Sequence, residues 1–129
     1  MAGHRKLTLA ELIARKEKPL QQTAEVYVPG MDGTIEIKRL PLVEYQELSS
    51  AYATADGGAE TLRAIYEMIY AFCPILHAQE MQEAYGIKGA PTDVVPLVFR
   101  ENVTDMVAVI NGIGGLYGEG TDLRNEVKN

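Results

Sequence analysis

The chain has 129 residues, 47% of them hydrophobic and 23% charged, with a formal net charge of −6. A domain of that length buries roughly 68% of the surface its unfolded form exposes, so a hydrophobic core is within reach and the composition argues against a disordered chain. The negative balance opposes nucleic acid as a partner, because phosphate contacts require a clustered basic face.

The N-terminal "MAGHRKLTLAELIARKEK" has basic residues but lacks the apolar run and small-residue cleavage site of a signal peptide. No segment approaches the roughly 18 apolar residues of a membrane span, so no membrane partner is expected. One cysteine, Cys73, cannot form an internal disulfide. A cytoplasmic location is the plain expectation.

Thr8 and Glu11 have capping-box spacing, which predicts a helix starting at Leu9 with a stripe of Leu9, Leu12 and Ile13. Basic residues Arg15, Lys16 and Lys18 suit its C-terminal end, and Pro19 stops it. The next stretch, "TAEVYVPGMDGTIEIKRLP", alternates Ala24, Val26 and Val28 with Glu25 and Tyr27, then Ile35 and Ile37 with Thr34, Glu36 and Lys38. That is a hairpin with one apolar face, and "PGMDG" supplies a proline and two glycines able to take positive φ. A lone two-stranded ribbon is marginal in water, so its apolar face must rest on the helices that follow.

Pro41 can open a helix with Leu42, Tyr45, Leu48 and Tyr52 on one side, and "TADGG" breaks it. The strongest helical pattern runs from Ala59 to Phe72, with Leu62, Ile65, Tyr66, Met68, Ile69 and Phe72 forming the core face and Tyr70 on the flank. Pro74 ends it. "ILHAQEMQEAYGI" predicts a short helix closed by Gly86. Asp93 is placed to cap a compact helix carrying Val94, Leu97 and Val98, and a last helix aligns Val103, Met106, Val107 and Ile110 before glycines 112, 114 and 115 end it. The tail after 118 is polar and expected to fray. The fold expected is α+β: one N-terminal β-hairpin packed on a bundle of about five short α-helices, with a single domain over 1–118 and a flexible tail over 119–129.

Two strands leave two open edges, which proteins cover, charge or use for strand addition. Glu25, Tyr27, Glu36 and Lys38 flank such an edge and are the candidate partner-binding residues. Catalytic chemistry has little to stand on. Cys73 and His77 are too few to hold zinc, Glu44/Glu47 and Glu80/Glu83 fall on solvated helix faces, and "GIGGLYGEG" follows a helix instead of opening one. No G-x-S-x-G, H-E-x-x-H or P-loop is present, so no catalytic residue, metal or cofactor is expected.

Taken in order, "LTLAELIARKEK", "EVYVPGMDGTIEIKRL", "EMQEAYGI" and "PTDVVPLVFRENVTDMVAVI" resemble the tail assembly chaperones of long-tailed bacteriophages and related defective prophages, over about Leu7 to Gly118. The break "ATADGGAE" and the glycine-rich "GIGGLYGEG" depart from that pattern. The resemblance implies a non-enzymatic protein of the host cell cytoplasm. It would bind the tape-measure protein, keep it soluble while tail tube protein polymerises around it, self-associate as a homo-oligomer, and be absent from the mature virion. The competing expectation is a small structural virion protein, a head–tail connector or tail-completion protein.

Overall fold

The computed structural model describes residues 3–118, and among them lie six α-helices and one antiparallel two-stranded sheet. In chain order these are α1 (Leu9–Ala14), β1 (Thr23–Val28), β2 (Gly33–Lys38), α2 (Leu42–Ala53), α3 (Gly58–Phe72), α4 (Gln79–Ala84), α5 (Val94–Val98) and α6 (Val103–Leu116). This is the α+β arrangement expected, with six helices in place of about five. The tail at 119–129 lies outside the described residues.

The hairpin finds its neighbours at the far end of the chain. β1 lies on α6, β2 touches the turn Pro74–His77, and α3 packs against α2, α5 and α6. Period-two patterning dictates the face that enters: Val26, Val28 and Ile37 are buried, with Ala24 and Ile35 packed beside them. Val26 stands opposite Ile35, and Ala24 opposite Ile37. Below them Ile65, Met68, Ile69 and Phe72 of α3 fill the centre of one contiguous core.

The hairpin tip departs from expectation. Pro29–Met31 forms a 3-10 turn, and the residue with positive φ is Asp32, at 49°, in the left-handed region, instead of either glycine. Asparagine and aspartate tolerate that region better than most residues. Gly30 is needed for space: a Cβ there would stand 2.2 Å from Oδ2 of Asp105. The buried Asp105 carboxylate accepts the Gly30 amide through Oδ1 at 2.9 Å, which ties the tip to the first turn of α6.

α6 corrects the sequence reading most. The glycines do not end it: the helix runs through them to Leu116, and its buried face is Met106, Val109, Ile113 and Leu116, while Val103 and Val107 are exposed. Each interior glycine costs about 1 kcal/mol of helix propensity relative to alanine. Packing overrides that cost at Gly112, where a Cβ would come within 2.3 Å of Val26 Cγ2. The bare backbone lets β1 seat on the helix and fixes which way α6 turns.

Beyond α6, Tyr117 closes the structure. Its ring stacks on Tyr45 with centroids 4.2 Å apart and meets Phe72 edge-on. Its hydroxyl accepts the Leu40 amide at 3.0 Å and donates to the Leu40 carbonyl, and the Arg39 guanidinium lies 4.5 Å over the ring. The Arg39 guanidinium also donates to the carbonyl of Leu116. The end of α6 is thereby fastened to the exit of β2.

Smaller differences follow from narrow contact faces. Tyr45 is the buried residue of α2, held against α3 and Tyr117, whereas Leu42 and Tyr52 stay exposed. Leu62 and Leu97 are likewise exposed, and Asp93 makes no side-chain cap because the turn Pro91–Asp93 runs straight into α5. Gly86 performs as expected. At φ 65° it ends α4, with the Ile87 amide reaching Gln82 and its own amide reaching Glu83.

Candidate functional site: the hairpin face and the open edge of β2

Glu25, Tyr27, Glu36 and Lys38 are brought together on the outer face of the hairpin, and all four are exposed. The Arg39 amide donates to the Gln22 carbonyl at 2.6 Å, which fixes the hydrogen-bonding alternation along the ladder. Ala24–Ile37 and Val26–Ile35 are then the bonded pairs, and Glu25–Glu36 and Tyr27–Thr34 the non-bonded ones. The backbone N–H and C=O of Thr34 and Glu36 therefore point away from β1, along the free edge of β2.

On the face itself, Glu25 and Glu36 stand directly opposite, a like-charge pairing that costs stability where it occurs. The Thr34 hydroxyl relieves one of them by donating to Glu25 Oε1 at 2.9 Å. The Tyr27 hydroxyl donates to Asp32 Oδ1 at 2.9 Å. That bond, with a smaller contribution from desolvation, raises the phenol above its ordinary 10. Its ring remains 54% exposed, an aromatic surface in a polar strand face.

Beside the same edge lies an apolar groove of about 320 Å³, walled by Met31 and Ile35 of the hairpin, Ile75 and Leu76 of the following turn, Met81 of α4 and Val98 of α5, with Thr34 and Glu36 along its rim. Ile75 is 57% exposed within it. Of the partner-binding residues expected from sequence, Glu36 lines this groove, and none of the apolar wall is among them. The available signal was an apolar residue inside each of two tight turns, Met31 in "PGM" and Ile75 in "PIL".

A separate cavity of about 330 Å³ between α2, α3 and α6 is lined by Tyr45, Ser49, Tyr52, Met68, Ile110 and Asn111 and gathers no carboxylate, imidazole or amine. Cys73 is buried, and desolvation pushes its thiol up to about 12. His77 Nε2 donates to the Tyr70 carbonyl, and the two rings lie 4.4 Å apart, so the imidazole serves a local contact. Among the described residues no three His, Cys, Asp or Glu side chains are grouped to hold a metal ion, and no helix is long and apolar enough to cross a membrane. Comparison with protein-family models, curated proteins and solved structures gives no match.

Proposed function

We propose that the chain is a non-enzymatic tail assembly chaperone of a long-tailed phage or prophage, acting in the host cytoplasm on the tape-measure protein and leaving before the virion is complete. One observation carries the reading beyond resemblance: the free edge of β2 borders an apolar groove. A long apolar client needs greasy surface to contact, and a holdase needs that surface framed by charge to stay in solution. The groove offers the first, and Glu36 on its rim, with Glu25 and Lys38 on the same hairpin face, offers the second. Strand addition along Thr34 and Glu36 would give sequence-tolerant main-chain bonds to the same client.

The test is co-expression with the tape-measure protein. Ile75→Asp is expected to reduce captured client at least tenfold and Tyr27→Asp to reduce it less, both at unchanged helicity by circular dichroism because both side chains are exposed. Equal capture by both variants and the parent would overturn the assignment of this surface. Stoichiometric presence of the chain in purified virions, read by mass spectrometry, would favour a connector or tail-completion protein instead.

A further inference from the structure

Among the described residues, the N-terminal arm buries none of its apolar side chains against the body. Leu7, Leu9, Leu12, Ile13 and Leu20 are each at least half exposed, and α1 buries no residue. An isolated helix of six residues is marginal in water. This one nevertheless carries a complete capping box, with Thr8 and Glu11 each accepting from the other's amide, and an Arg5–Glu11 ion pair. Its local chemistry prepares a helix for a surface that the described residues do not supply.

We propose that this surface is the β2-edge groove of a second copy, with two copies exchanging arms reciprocally. The proposal rests on reading that groove as a docking surface, and not on the client's identity. Leu9, Leu12 and Ile13 stand at i, i+3 and i+4, the anchor spacing with which a helix enters an apolar groove. Charge selects a copy of this chain as the occupant. Residues 3–20 hold Arg5, Lys6, Arg15, Lys16 and Lys18 against Glu11 and Glu17, a surplus of three positive charges. Residues 21–118 hold five basic against thirteen acidic side chains. Glu36 is the charged residue lining the groove, and the strand and helix that wall it, β2 and α4, add Glu80 and Glu83 against Lys38. A cationic amphipathic helix and an anionic body attract between copies, and reciprocal exchange covers both grooves in a closed twofold pair, from which a client must displace the arm.

The experiment is sedimentation velocity on the full chain over about 5–200 µM, a range that resolves micromolar association. Three samples are compared: the parent, an arm variant carrying Leu12→Glu and Ile13→Glu, and a groove variant carrying Ile75→Glu. All three positions are exposed, so circular dichroism should show the parent's helicity outside α1. The expected result is a dimeric parent, at least tenfold weaker association in each variant, and recovery when the two variants are mixed, because the intact groove of one meets the intact arm of the other. Raising salt to about 0.5 M should weaken the parent dimer. A parent that stays monomeric throughout, an arm variant that associates like the parent, or a mixture no better than its components would each overturn the proposal. No tape-measure protein enters the measurement, so its failure and failure of client capture are read separately.

Discussion

Two helices of this molecule start from opposite positions and meet opposite fates. α1 has a full capping box and an apolar stripe, yet it buries nothing. α3 opens behind Gly57, at φ 99°, with no side-chain cap, and it buries Ala64, Ile65, Met68, Ile69 and Phe72. Capping fixes where a helix begins, and it contributes about 1 kcal/mol. Burial against α2, α5 and α6 decides whether the helix persists in a single chain.

The sharpest way to break that contrast is a charge on each helix. Ile65→Asp places an unpaired carboxylate in the core and should cost more than about 4 kcal/mol, enough to abolish the cooperative thermal transition. Leu9→Asp on α1 should leave the midpoint of a monomeric sample unchanged. Alkylation of Cys73 reports the difference independently, since the buried thiol should react rapidly only where the core has opened.

A second substitution asks whether α6 obeys propensity or packing. Gly112→Ala gains about 1 kcal/mol of intrinsic helicity but drives a methyl into Val26. The expected net result is a loss of about 1–3 kcal/mol in a urea titration. A gain would mean that β1 yields to the helix. The gentler Tyr117→Phe keeps the stack on Tyr45 and removes both hydroxyl bonds to Leu40. A loss of about 1–3 kcal/mol is expected, because the half-buried Leu40 amide and carbonyl lose a partner.

The smallest effect belongs to α1. The Thr8 amide and then the Arg5 guanidinium hold the Glu11 carboxyl below its ordinary 4.5. A carboxylate depressed in the folded arm contributes above its ordinary value and loses that contribution as pH falls through the depressed one. Helical chemical shifts of Leu9–Ala14 should therefore fade on acidification below about 4.5, before those of α3 change. Simultaneous loss in both helices would show that the arm is coupled to the core.

What the sequence made legible was whatever a residue shares with its near neighbours. Alternation at Val26 and Val28 gave the buried strand face, Thr8 and Glu11 gave the start of α1, and Gly86 gave the end of α4. What it hid depends on distant partners. The meaning of Gly112 lies in Val26, and that of Tyr117 lies in Arg39 and Leu40. Local rules therefore turned a packed helix into a stop. The same limit explains the site: Glu36 and Tyr27 follow from one strand pattern, whereas the groove is assembled from the hairpin, the turn after α3, α4 and α5.

The bond from Tyr117 to Leu40 spans 77 positions of sequence. A ribosome adding 5–20 residues per second finishes β2 roughly 4–16 s before the residues that will floor it emerge. For that interval Val26, Val28 and Ile37 have no α6 to lie against. The growing polypeptide thus passes through a stage in which it is itself a sticky client, and fast capture by its own late helix decides whether it matures or aggregates.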